Sequence, residues 1–125
     1  MSAVVIEQTD RLFQVWAYSV GMARLLLRSA KSETFATRLD VLFQNVKAMK
    51  LPAVLEGLVV AEADPVEAAG ISTETGLLTS EDTTIFIVRA GAFDGYVVAG
   101  VCVAAEDDGE YFEPSSLLQD PWVSR

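Results

Sequence analysis

Two apolar runs punctuated by Asp-Gly pairs constrain the fold of this chain more than any other feature. Residues 83–112 read TTIFIVRAGAFDGYVVAGVCVAAEDDGEYF, with the pairs at Asp94-Gly95 and Asp108-Gly109. Asp-Gly is typical of two-residue hairpin turns, because glycine adopts positive φ freely and aspartate tolerates it. The Ile, Val, Phe and Tyr residues on either side favour pleated strands. The stretch therefore predicts an antiparallel meander with its corners at the two Asp-Gly pairs.

A turn at Asp94-Gly95 also fixes a register, which pairs Phe93 with Tyr96 and Arg89 with Gly100. Both faces of that hairpin are apolar, so it should be covered on both sides and lie centrally in a sheet. Arg89 is the one charged residue in residues 83–93. Two hypotheses follow for its side chain. It either pairs with an acid or reaches the sheet edge, or its guanidinium anchors a ligand carboxylate or another anion.

The first half of the chain contains one ambiguous segment. In residues 11–28 the apolar positions fit a helical stripe, but they also fit two strands joined by a turn at Gly21. Aromatic and β-branched residues, together with Gly21, favour the strands, and the helix stays open as the alternative. Residues 38–49 alternate as a strand whose phase shifts at Asn45, which predicts a bulge. Residues 55–61 predict another short strand.

Residues 62–82 form the longest polar stretch, and connections of that length are often functional. Asp64 can cap a helix and Pro65 suits its first turn, which predicts a short helix near residues 65–69. The acids Glu67 and Glu74 in this stretch are candidate partner-binding residues. Trp122 in the C-terminal tail is a third, because surface tryptophans are enriched in binding hot spots.

The residue types needed for common catalytic chemistry are largely missing. The sequence has no histidine and a single cysteine, Cys102, which lies within an apolar run. The usual general base and metal ligand are therefore absent, and no cysteine cage or disulfide can form. The acidic run at residues 106–113 lacks the ligand spacing of a calcium loop, and turn chemistry accounts for it. We therefore predict no enzyme activity, no catalytic residues, no metal site and no cofactor.

The formal net charge of −9 is unevenly distributed over the 125 residues. Residues 1–50 hold seven Lys/Arg and four Asp/Glu, whereas residues 51–125 hold two and fourteen. An acidic chain is repelled by nucleic acids and by anionic membranes, but it can attract a basic protein. The N-terminus lacks a basic region before an apolar core, and no apolar run approaches the ~20 residues that span a bilayer. A cytoplasmic protein is the default expectation.

Together these observations predict a mainly β protein with a single domain at residues 1–125. We expect an antiparallel β-sandwich or half-open barrel of seven or eight strands with at most one or two short helices. The alternative is an α+β fold in which residues 11–28 form a helix on the sheet.

The expected function is that of a small acidic binding module that engages a basic protein partner. In composition alone, the chain is similar to small bacterial immunity and inhibitor proteins. Two alternatives remain. One is a small-ligand-binding β protein with an apolar cavity and Arg89 as its polar anchor. The other is a structural subunit of a homo-oligomer.

Overall fold

The computed structural model describes residues 4–118, which form eight strands, one helix and a short 3₁₀ turn. The elements in chain order are β1 (Val4–Ser19), β2 (Arg24–Ser29), β3 (Arg38–Gln44), β4 (Ala48–Lys50), β5 (Val54–Glu62), α1 (Pro65–Thr75), β6 (Thr84–Ala90), β7 (Phe93–Ala99), β8 (Val101–Asp107) and the 3₁₀ turn (Ser116–Leu118). The strands form one sheet in the order β4-β7-β6-β5-β1-β2-β3-β8, with every pairing antiparallel. The prediction of a mainly β, antiparallel fold is confirmed. Within the described residues, no helix is long and apolar enough to cross a bilayer.

The two ends of the sheet are joined by the chain itself. Only residues 45–47 separate β3 from β4, and only Gly100 separates β7 from β8. β3 pairs with β8, and β4 pairs with β7, so two bent strands run side by side. Asn45 has a φ of 58°, and the Gly100 N–H donates to the Gln44 carbonyl at 2.9 Å. The sequence predicted a bulge at Asn45 within a strand over residues 38–49, and the structure has a bend at that position that divides the segment into β3 and β4.

Residues 11–28 run through β1 and β2, so the two-strand interpretation is confirmed and the helical alternative is wrong. The connecting turn covers residues 20–23 and includes Gly21. Leu25 and Leu27 belong to the core cluster, whereas Leu26 lines a cleft on the opposite face. This alternation has the period of two that a strand requires. The helical stripe in the sequence arose because Leu25, Leu26 and Leu27 place apolar side chains on both faces of β2.

The first hairpin corner lies at Gly91-Ala92, so the predicted turn at Asp94-Gly95 and its register are wrong. Arg89 pairs with Asp94 instead of Gly100, and Ala90 pairs with Phe93. Gly91, with a φ of 56°, takes the glycine position of a two-residue turn. Gly95 stays in β7, where a Cβ would collide with the carbonyl oxygen of Lys50 and with the Phe93 ring. Its missing side chain makes room for β4.

The second predicted corner, at Asp108-Gly109, is also wrong, because no strand follows β8 within the described residues. The chain leaves the sheet after Asp107 and reaches the 3₁₀ turn without further pairing. A Cβ at Gly109 would collide with the Arg38 guanidinium. Here too the glycine makes room for a neighbour, in this case an arginine side chain.

The sheet buries apolar residues on both faces, as expected for β6 and β7. Phe86 and Val88 belong to the central core cluster. Ile85 and Ile87 on the other face are also buried, and α1 lies on that side. Asp64 caps α1 and forms a reciprocal capping box with Glu67. The predicted helix is therefore confirmed, and it extends to Thr75.

Candidate functional site

A cluster of buried charges lies on the face of β2, β3 and β8 that points away from the central core cluster, which we call the outer face. Arg28 and Asp40 are direct cross-strand partners, as are Arg38 and Asp107, so each pair projects on one face. The Arg28 Nε and Nη2 atoms donate to the two Asp40 carboxylate oxygens at 2.8 and 3.1 Å. Asp40 has no exposed surface. Charges removed from water in this way must be paired and hydrogen-bonded.

Arg38 joins the same cluster from the neighbouring position on β3. Its Nε and Nη2 atoms donate to the Asp107 carboxylate at 2.9 and 3.1 Å, and Nε lies 4.0 Å from an Asp40 oxygen. The hydrogen bond from Arg38 lowers the pKa of Asp107, and the same bond raises the pKa of Arg38. Both groups therefore stay charged at neutral pH.

The remaining donors of the two arginines hold residues 108–114, with the sequence DGEYFEP, which we call the acidic aromatic loop. Arg28 Nη1 donates to the Tyr111 carbonyl at 2.8 Å. Arg38 Nη1 donates to the Glu110 and Glu113 carbonyls at 2.9 and 2.7 Å, and its Nη2 donates to the Pro114 carbonyl. The two buried arginine side chains thus fix four backbone carbonyl groups of the loop. The loop is irregular but its path is set in advance of any binding event.

Trp16 completes the outer surface of the loop from β1. It is the extra residue of a β-bulge, since Val15 pairs with Leu27 while Ala17 pairs with Leu26. A bulge re-aims the side chain of its extra residue. The Trp16 ring contacts Tyr111 edge to face at a centroid distance of 4.8 Å and Phe112 at 5.8 Å. Its other support is the Arg28 guanidinium, 5.1 Å from the ring centroid.

The loop exposes an apolar tip within a rim of acids. Phe112 is 82% exposed and Tyr111 is 40% exposed, although both rings pack against each other. Asp108, Glu110 and Glu113 are exposed around them. Aromatic side chains are enriched in protein interfaces, where rigid ones bind at a low cost in conformational entropy. This arrangement is suited to holding a partner that offers both an apolar contact and positive charge.

Arg89, the predicted ligand-binding residue, lines an outer cleft of about 310 Å³ next to α1. Its Nη2 donates to Glu67 at 2.6 Å and its Nε lies 3.6 Å from Asp94. Two carboxylates thus surround the guanidinium, in agreement with the hypothesis that it pairs with acids.

The predicted partner-binding acids of α1 both make contacts to the sheet. Besides Arg89, Glu67 binds the backbone N–H of Asp64. Glu74 accepts a 2.5 Å hydrogen bond from the Tyr96 hydroxyl. Trp122, the third predicted residue, lies outside the described residues.

Other reactive groups offer little chemistry at neutral pH. Burial raises the pKa of the Cys102 thiol to about 12, so the thiolate nucleophile does not form there. In the described part of the chain, no group of three or more Asp, Glu or Cys side chains could hold a metal ion. In the acidic run at residues 106–113, the Asp107 carboxylate binds the Arg38 guanidinium.

No family model, curated protein or solved structure significantly matches this chain. What the acidic aromatic loop can bind is therefore argued from its own residues.

Sequence reasoning missed this loop because it attributed the acidic run at residues 106–113 to turn chemistry. One signal was available. Arg28 and Asp40 each interrupt an apolar run, in LLLRS and RLDVLF. In adjacent antiparallel strands, charges of opposite sign inside apolar runs are candidates for a buried pair.

Proposed function

We propose that this chain is a non-catalytic binding module that captures a basic protein partner on the acidic aromatic loop. The observation that carries the proposal is Phe112, which projects its ring into water from a loop whose backbone is clamped by Arg28 and Arg38. A large exposed aromatic side chain on a fixed backbone loses little conformational entropy when it binds. An inhibitor or immunity-type role, to which the composition of the chain is similar, is one form of such binding.

The charge distribution supports a basic partner. Three cations, Arg11, Arg28 and Arg38, are buried, whereas Asp40 is the one buried acid in the described residues. The surface that faces water is therefore more acidic than the formal net charge of −9 indicates. Such a surface accelerates association with basic proteins and disfavours acidic ones.

Panning a random peptide library on the immobilised full chain tests the proposal. We expect enriched peptides that combine Lys or Arg with an aromatic or aliphatic residue, and we expect Phe112→Ala to weaken their binding at least tenfold. Leu78→Ala is the matched control, because Leu78 is a 75% exposed apolar residue away from the loop. Enrichment of neutral or acidic peptides, or equal binding to the Phe112 variant, would overturn the proposal.

One observation favours a second candidate function, the binding of a small apolar ligand. An apolar cleft of about 280 Å³ lies on the outer face, lined by residues that include Met22, Leu26, Leu42 and Leu118. A neutral fluorescent naphthylamine is a suitable test ligand. Met22→Glu should abolish its binding and Met49→Glu, on β4, should leave it unchanged. Failure of the dye to bind, or equal binding to both variants, would remove this candidate.

A further inference from the structure

We infer that a pocket beside the acidic aromatic loop accepts a cationic side chain of the partner, with arginine the preferred one. The inference rests on the proposed function, because it assigns the residue that a basic partner inserts next to Phe112. The pocket, which we call the side pocket, has a volume of about 340 Å³. Its apolar walls include Leu12, Phe35 and Tyr111, and its polar lining includes Asp10, Gln14 and Thr34.

Contacts with neighbouring side chains fix the two aromatic walls of the side pocket, Tyr111 and Phe35. The Tyr111 carbonyl is bound by Arg28, and its hydroxyl donates to the Gln14 side-chain oxygen at 3.2 Å. On the opposite wall, the buried Arg11 guanidinium lies 4.3 Å from the Phe35 ring centroid and donates to the Thr37 carbonyl at 2.7 Å. The pocket therefore exists before a ligand arrives.

The charges around the side pocket select a cation. Two cations line it, but both are already occupied. Arg28 is bound bidentately by Asp40, and Lys31 lies 3.4 Å from Glu110. Asp10, in contrast, is exposed and makes no hydrogen bond or ion pair with any residue of the described chain. Its charge is the one in the lining that no neighbour compensates.

The chemistry of the lining favours a guanidinium. A planar guanidinium can bind a carboxylate with two parallel hydrogen bonds and can stack on an aromatic ring. Asp10 supplies the carboxylate, Tyr111 the ring and Thr34 a further hydroxyl acceptor, all bordering one cavity. The exposed methylenes of an arginine side chain would cover Leu12, which is 52% exposed.

Nuclear magnetic resonance titration of the full chain with N-acetyl-arginine methylamide tests the inference. We expect saturable shifts of the backbone amide signals of Asp10, Gln14 and Thr34. The uncharged isostere N-acetyl-citrulline methylamide should bind at least tenfold more weakly. Asp10→Asn should abolish the shifts. Glu7→Gln, which removes an exposed charge from the same strand, should leave them intact.

A second variant separates this inference from the proposed function. Phe112→Ala should leave the arginine-dependent shifts unchanged, since Phe112 does not line the side pocket. Peptide binding that requires Phe112, combined with equal shifts from the arginine and citrulline compounds, would overturn the side pocket and leave the proposed function standing. Selective arginine shifts that Asp10→Asn abolishes would support the pocket, even if peptide binding proved independent of Phe112 and the proposed function fell.

Discussion

The Asp40 carboxylate is enclosed on all sides, with Arg28 bound across it and Arg38 beside it. Replacing it with asparagine keeps the shape but leaves the buried Arg28 guanidinium without its counter-charge. Breaking one partner of a buried ion pair costs about 3–5 kcal/mol. We therefore expect Asp40→Asn to lower the free energy of unfolding by that amount, as measured by urea denaturation at neutral pH.

Asp94→Asn provides the matched control for this prediction. Asp94 is an exposed carboxylate 3.6 Å from Arg89, and surface ion pairs contribute about 0–1 kcal/mol. A loss in the Asp40 variant no larger than that in the Asp94 variant would contradict a structural role for the buried cluster.

Two glycines with nearly the same positive φ separate conformational strain from steric collision. Gly57 has a φ of 78° and Gly76 a φ of 76°. A Cβ at Gly57 would lie 2.9 Å from the Thr9 carbonyl oxygen, whereas nothing lies within 4 Å of one at Gly76. Gly76→Ala should cost about 1–2 kcal/mol from left-handed strain alone. Gly57→Ala should cost more, because it must also displace β1, and thermal unfolding of the two variants measures the difference.

At the scale of elements, α1 is attached to the sheet more through polar contacts than through buried area, since none of its residues is buried. The Glu74 hydrogen bond at Tyr96 is one of these contacts, and it raises the pKa of the Tyr96 hydroxyl above its ordinary value of 10. Its stabilising effect is present below that value and is lost as the pH rises through the raised pKa.

A titration of tyrosinate absorbance checks this contact. The difference between the wild type and Tyr96→Phe isolates the Tyr96 curve, whose midpoint should lie above 10. In Glu74→Gln the midpoint should move back towards 10. An unchanged midpoint in that variant would show that Glu74 does not bind the phenol in solution.

Elements governed by local chemistry were predictable from the sequence. The capping signal at Asp64 correctly predicted the start of α1. The phase shift at Asn45 marked the position at which the chain bends between β3 and β4. Each signal acts over a few residues. The glycines at 95 and 109 were identified as special for the wrong reason. Each makes room for a distant group, Lys50 or Arg38, and such proximity is a property of the folded molecule. The acidic aromatic loop escaped prediction for the same reason, because its supports come from β2 and β3.

At the scale of the whole molecule, the inward placement of three arginines leaves a surface dominated by acids. Long-range attraction of this kind raises association rates and is screened by salt. Association of the basic peptides selected on this protein should slow about tenfold or more between roughly 0.01 and 0.15 M salt. Stopped-flow fluorescence measures this rate.

The effect of Phe112→Ala should be of a different kind. Removing a short-range contact should accelerate dissociation and leave the salt dependence of association unchanged. A salt-independent association rate in the wild type would contradict the role of the acidic surface.

The pairing of β3 with β8 has a consequence for how the protein is made. β3 is translated early, yet one of its two partners, β8, is the last strand within the described residues to leave the ribosome. Until then β3 is paired with β2 on one side only and leaves its other edge unpaired, and such bare edges recruit other chains. Synthesis of residues 101–107 is therefore the step that ends the vulnerable period, and chains truncated before it should depend most on chaperones.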